Sequence, residues 1–260
     1  MLNYDFIAQK SEESQIDSVT IEREYWQLLF LQRLYNTDGS AEIFFKGGTA
    51  IRFLLGSFRF SEDLDFTATT AKEKVEALLV ATFNFFKKNT PYDLEFKKER
   101  VYRKFEEESL KYRFLFRPKD LSQKVSIRVD VSLREKPQTR EQTVLTPFDY
   151  PISPYPIVMH LRNTELLAEK IRALCIRGKP RDLFDLWFLL TKKIPVDQSM
   201  LQKKFAIYPN NQFSFKQLEK VISSIECNEL KKDLNQFLPK NYREFYKKLK
   251  EETVKQILKY

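Results

Sequence analysis

The stretch that most restricts this chain runs from Ile43 to Phe66. Ile43-Phe44-Phe45 is a short apolar run that reads as a buried strand, and it leads through Lys46 into the tight turn Gly47-Gly48. Glycine lets the backbone take a positive φ and approach a ligand closely. Only 5 glycines occur in 260 residues, so two in succession point to a defined backbone task. Thr49 is placed to cap a short helix from Ala50 to Leu55, whose free N–H groups would form an anion site. Asp63-Leu64-Asp65 follows. On a strand, residues i and i+2 share a face, so the two carboxylates stand side by side. They repel unless a cation lies between them, and a hard divalent ion such as Mg²⁺ takes carboxylate and phosphate oxygens together. Phosphate cradle, helix, then paired carboxylates is the layout of a phosphoryl- or nucleotidyl-transfer site. Singly, each piece has a plainer explanation: most Gly-Gly-Thr turns hold nothing, and most Asp-x-Asp pairs are solvated strand ends. Their joint occurrence, with Arg59 and Ser61 just before the carboxylates, favours the functional reading.

The rest of the composition is compatible with that chemistry and excludes several others. Hydrophobic residues make up 42% and charged residues 31%, enough apolar content for a true core. Lys+Arg 45 against Asp+Glu 36 leaves a net charge of +9, which favours a polyanionic partner such as nucleic acid or nucleotide. The cysteines, Cys175 and Cys227, have no metal-ligand spacing, and their scarcity suits a reducing compartment. His160 is the single histidine, which excludes a His-rich zinc site and leaves a structural residue near a strand end as its expected role. Met1-Leu2-Asn3-Tyr4-Asp5 has neither a charged leader nor an apolar secretion core, and no run approaches a membrane span, so a cytoplasmic location is expected.

Along the chain, residues 1–17 read as a polar, loosely ordered lead-in. Helical spacing covers Ser18 to Tyr35, and Thr69 or Thr70 is placed to cap a second long helix ending near Asn89, before Pro91. Three strands are expected: Asp93 to Tyr102, Tyr112 to Phe116 before Pro118, and Val125 to Leu133. In the last, Val125, Ile127, Val129 and Val131 line one face, and Asp130 falls on the other. Alone, Asp130 is a solvent-facing residue of an amphipathic strand. Beside the strand of Asp63 and Asp65 it would complete a three-carboxylate, two-metal arrangement for in-line transfer, and the first motif tips the balance that way. Five prolines within Glu135 to Pro156 mark a linker or crossing segment, although Ile157-Val158-Met159 is able to add a strand. The expected organisation is α+β, with a mixed-sheet domain over 1–156 and an all-helical domain over 157–260.

The helical half holds a second informative stretch. Asn163 or Thr164 would cap a helix through Arg177, with Leu167, Ile171 and Leu174 as its apolar stripe. Gly178 stops it and Pro180 opens the next. Lys170 is either a snorkelling helix lysine or a site residue. Asp185 sits in the very apolar Leu183-Phe184-Asp185-Leu186-Trp187-Phe188 and needs a partner, with Lys170 and Arg181 as candidates. Farther on, Ser214 to Gln217 reads as a capping box, and a final helix spans Tyr242 to Leu258. Its lysines are read as a solvated face ahead of an RNA-binding patch.

Four motifs together resemble the AbiEii/AbiGii-type nucleotidyltransferase toxins of type IV toxin–antitoxin systems. They stand as Gly47-Gly48-Thr49 with Arg59-Phe60-Ser61-Glu62-Asp63-Leu64-Asp65, Asp130 between hydrophobic residues, Glu165-Leu166-Leu167-Ala168-Glu169-Lys170, and Arg181-Asp182-Leu183-Phe184-Asp185-Leu186. The resemblance implies a polymerase-β-like nucleotidyltransferase sheet followed by helices that complete the active site. It implies that Asp63, Asp65 and Asp130 hold two Mg²⁺ ions, and that Gly47, Gly48, Thr49, Arg59, Ser61 and Lys170 bind the NTP. Asp185 would assist, and Lys170 and Asp185 would join the catalytic set. The acceptor implied is RNA, a tRNA end above all, and a cognate antitoxin is implied as partner. Two other readings stay open: a non-catalytic nucleotide-binding or antitoxin-like interaction protein, and a phosphotransferase that moves only the γ-phosphate.

Overall fold

The computed structural model describes residues 4–101, 108–117, 124–146, 150–208 and 213–260; Met1, Leu2, Asn3, Tyr102 and Pro118, named above, lie outside them, as does one of the five prolines, Pro147. The chain divides into two units, one formed by 1–56 with 60–161 and the other by 57–59 with 162–260.

The first unit is built on a seven-stranded sheet. Its strands are β1 (Ile43–Lys46), β2 (Asp63–Ala68), β3 (Asp93–Lys98), β4 (Ser109–Arg117), β5 (Val125–Ser132), β6 (Glu141–Val144) and β7 (Ile157–His160), in the spatial order β3-β4-β5-β2-β1-β7-β6. β2 pairs with β5 in parallel and β1 with β7 in parallel, and the other neighbours are antiparallel. The proline-rich segment expected as a linker thus contains a strand, β6, paired with β7 at the sheet edge. Period-2 alternation sets the faces: Leu110, Tyr112, Phe114, Phe116, Val125, Ile127, Val129 and Val131 are buried, while the residues between them are half-buried or exposed.

Helices α1 (Tyr4–Ser14), α2 (Ser18–Tyr35), α3 (Gly47–Leu55) and α4 (Lys72–Asn89) complete this unit. The expected lead-in is therefore helical. Ile7 and Ile16 are buried in the core, and that tertiary burial outweighs the polarity of the segment. Asp17 caps α2 by accepting the Thr20 N–H at 2.8 Å. Trp26 of α2 packs its ring on Phe116 at 4.4 Å and on Phe86 of α4 at 5.7 Å, tying both helices to the buried sheet face. Truncating a buried aromatic of this kind costs about 3–5 kcal/mol. The threonine caps expected for α3 and α4 do not form. Lys46 precedes α3 and Ala71 precedes α4, neither with a side-chain cap, and Thr69 bonds Glu42 instead.

The second unit holds α5 (Asn163–Arg177), α6 (Pro180–Thr191), α7 (Gln198–Ala206), α8 (Phe215–Ser224), α9 (Cys227–Leu234) and α10 (Tyr246–Ile257). Arg162, not Asn163 or Thr164, is the residue before α5. Gly178 ends α5 at φ 61°, a left-handed conformation that glycine adopts without a Cβ clash, and Pro180 opens α6. Ser214 caps α8 through the Gln217 N–H at 3.1 Å. The final helix starts later than expected, because Lys240–Phe245 forms a 3₁₀ turn. The segment 57–59, between α3 and β2 in sequence, belongs to this unit: Phe58 meets Phe184 edge-on at 5.1 Å and stacks on Tyr242 at 4.3 Å. Among the described residues, no helix is long and apolar enough to cross a membrane.

Candidate active site

The first unit places the sequence-predicted carboxylates on one sheet face. Asp63 and Asp65 are both half-buried on β2, alternating with fully buried Leu64 and Phe66. β5 lies beside β2 with Asp65 opposite Asp130, so the three acids share a face across two parallel strands. β1 brings Gly47 against them. Its φ is 81°, and a Cβ built there would fall 2.1 Å from Asp65 Oδ2. The site therefore requires glycine here twice over, for backbone conformation and for space. Thr49 is not a cap. Helix α3 begins three residues earlier than expected, and the Thr49 hydroxyl donates to the Asp63 carbonyl oxygen, fastening α3 to β2. Gly48 is buried at the start of α3. Ser61 precedes β2, and its carbonyl accepts from Gln27 Nε2 at 3.1 Å.

Cations that sequence reasoning passed over balance these acids. Lys111 Nζ of β4 lies 2.9 Å from Asp130 Oδ2, and Arg128 Nε of β5 lies 2.9 Å from Asp63 Oδ1. The signal for both was present in the alternation, since Lys111 and Arg128 fall on the same face as Asp130. Among the described residues, no three His, Cys, Asp or Glu side chains converge as a ready metal cage. The donor chemistry nevertheless fits a hard divalent cation. All three are carboxylates on one face. Asp63 Oδ1 is buried and accepts no hydrogen bond from the described residues, despite the nearby Arg128 Nε. Arg128 answers the charge of this oxygen without an aligned hydrogen bond, so a lone pair is left for a hard cation.

The second unit gathers the other predicted residues into a buried ion network. Arg59 grips Asp185 with Nε and Nη2, each at 2.9 Å. Lys170 Nζ lies 2.7 Å from Asp185 and 3.1 Å from Asp182, and Arg177 reaches Asp182 at 2.6 Å. Asp185 and Asp182 are each 1% exposed. Burial works against charge on Lys170, but Asp185 and Asp182 outweigh it and hold the ammonium above its ordinary value. Burial likewise opposes ionisation of Asp182, yet Lys170 and Arg177 drive its carboxyl well below the usual range. Of the partners expected for Asp185, Lys170 is one. Arg181 instead pairs with Asp233 at 3.3 Å. Arg59, the unforeseen partner, is 126 residues away in sequence. A second buried cluster, Lys204 with Glu165 and Glu169 at 2.6 and 2.9 Å, joins α7 to α5. His160 is structural, with Nδ1 at 2.8 Å from the Leu161 carbonyl and Nε2 at 2.8 Å from Thr143 Oγ1.

A mixed sheet with a glycine-led helix start beside a carboxylate strand is an architecture of nucleotidyltransferases, and that is the class of this protein. The family profile described as nucleotidyl transferase AbiEii toxin, type IV toxin–antitoxin system, matches residues 29–259, so the chain belongs to that family. Among solved structures it is similar to MenT4, a nucleotidyltransferase toxin from Mycobacterium tuberculosis H37Rv, with TM-score 0.69 and 16% identity over 100% of this chain and 91% of that one. It is also similar to JHP933 from Helicobacter pylori, with TM-score 0.55 and 18% identity over 94% and 95% of the two chains. No curated protein sequence matches it.

Proposed function

We propose that this toxin transfers a nucleoside monophosphate from an NTP to an RNA acceptor, a tRNA end being the expected class, with Mg²⁺ held by Asp63, Asp65 and Asp130. The observation that carries the reading is the alignment of Asp130 opposite Asp65, on the face shared with Asp63. Bound there, the divalent ions would neutralise charge on the triphosphate and the attacking oxygen. Gly47 lets the backbone approach the phosphates, and the first N–H groups of α3, at Gly48 and Thr49, face an anion without a side-chain cap. Asp130, partly accessible and paired with Lys111 across the strand, is assigned to take the acceptor hydroxyl's proton. Arg59, Ser61 and Lys170 are assigned to the NTP and Asp185 to their support by their motifs. The helical domain, the cytoplasmic location and a cognate antitoxin complete the proposal.

The test is incubation with each NTP, labelled at the α- or γ-phosphate, with total RNA and either Mg²⁺ or EDTA. Label from the α-position on RNA, lost in EDTA, is expected. Transfer of γ-label alone would make the protein a phosphotransferase and overturn the reading.

A further inference from the structure

Beyond the predicted site residues, β3, β4 and β5 bring three cations into one cross-strand row. Lys97 is opposite Arg113, Arg113 is opposite Arg128, and Arg128 is opposite Asp63. Like charges directly opposite destabilise a sheet, so such a row persists only with countercharges. Each cation has one from outside the row or at its end: Glu95 for Lys97, Glu99 for Arg113 at 2.6 Å, and Asp63 with Glu62 for Arg128. These pairs are open to water, the three cation side chains being 61%, 37% and 43% exposed. Pairs of that kind are weak and exchange readily for other anions. The opposite face of the same strands is buried and apolar, so the row lies on the face left open.

We propose that Lys97, Arg113 and Arg128 form a track for the phosphate backbone of a single-stranded RNA acceptor, running to Asp63. The proposal rests on the nucleotidyl-transfer reading above. Neighbouring strands lie about 4.8 Å apart, so the three cations span roughly 10 Å. A regular line of point charges suits a backbone with one charge per repeat, and it reads no base, as expected of a strand held only by its phosphates. The row ends at a predicted catalytic carboxylate, with Asp130 and Lys111 in the adjoining outward-facing row. A strand lying on the track would therefore present its terminal hydroxyl to the acids.

The test is equilibrium binding of a fluorescently labelled single-stranded RNA over a range of salt, in EDTA, so that binding is read without metal or turnover. Lys97→Gln and Arg113→Gln should each lower the slope of log affinity against log salt by about 0.7, and the double variant should bind about tenfold more weakly at low salt. Lys247→Gln, which removes the same charge from a fully solvated helix site, should leave the slope unchanged. Circular dichroism checks that the exposed substitutions leave the fold intact. Slopes equal to wild type in both track variants would overturn the track. Equal competition by polyglutamate, weakened in the same variants, would also overturn it in favour of an acidic protein. Incorporation of α-label by wild type is scored separately. Incorporation with unchanged slopes removes the track and keeps transfer, whereas altered slopes without incorporation remove transfer and keep an RNA-binding row.

Discussion

The protein carries two clusters made of nearly the same ingredients, aspartates answered by lysine and arginine, and they differ in water. On the sheet face, Asp63 and Asp130 are 30% and 36% exposed and their cations more so. In the helical unit, Asp182 and Asp185 are 1% exposed and are linked in one row with Arg59, Lys170 and Arg177. Exposed pairs are worth about 0–1 kcal/mol and can trade partners, whereas breaking a buried pair costs about 3–5 kcal/mol. The first cluster is thus suited to exchange ligands and the second to hold a conformation. Charge pattern alone does not separate the two; burial does.

The largest break in that symmetry should be functional. Asp63→Asn or Asp65→Asn should lower nucleotide transfer at least about a hundredfold, because metal-held charge stabilisation is worth several kcal/mol. The free energy of urea unfolding should change by less than about 1 kcal/mol, because these side chains are only half-buried. Asp65→Ala should also relieve growth arrest on induced expression at equal protein level. Equal arrest by wild type and variant would separate toxicity from these carboxylates.

The helical cluster should respond the other way round. Asp185→Asn strands Arg59 and Lys170 against one another and should cost about 3–5 kcal/mol in urea unfolding, against less than about 1 for Asp130→Asn. Similar costs for the two variants would erase the distinction between the two clusters. Gly47→Ala should fall between them, at about 1–3 kcal/mol, because its φ of 81° and the contact with Asp65 Oδ2 both resist a methyl group. Transfer should fall with it, since Asp65 is the group that must move.

The smallest effect expected is on pH. Asp182 is depressed in the folded state, so its contribution is present above the ordinary carboxylate value of 3.8 and is lost as pH falls through the folded value. Lys170 is raised, so its contribution is present below its ordinary value of 10.5 and is lost only as pH rises through the folded value. The difference in stability between wild type and Asp182→Asn should therefore be flat from about pH 5 to 9 and shrink in strong acid. A change across neutrality would assign the network a different protonation state.

What the sequence disclosed followed from short-range physics. Asp63 and Asp65 share a face because alternation is local, and α2 matches its expected span of Ser18 to Tyr35 because its apolar spacing and flanking turn are local. Gly178 and Pro180 marked a helix stop and start for the same reason. The misses were set by contacts distant in sequence. Thr49 resembles a cap locally, but the Asp63 carbonyl claims its hydroxyl. Residues 4–14 are polar enough to read as a lead-in, yet Ile7 finds the core. β6 hides among prolines and is a strand because β7 pairs with it. Arg59 was read only as a phosphate ligand, and nothing near it in sequence announces Asp185. Lys111 lay just before the expected strand of Tyr112 to Phe116, and both its place in β4 and its register with Asp130 required the sheet.

The membership of residues 57–59 in the helical unit has a consequence for how the chain can be divided. No single cut separates the two units, since one of them is written in two instalments. A fragment beginning at Arg162 would leave Phe184 and Tyr242 without the Phe58 ring and Asp185 without its arginine fork. During synthesis, Arg59 leaves the ribosome 126 residues ahead of the carboxylate it will grip. The first fragment of the helical unit must therefore wait, attached to the growing sheet, until α6 has been made.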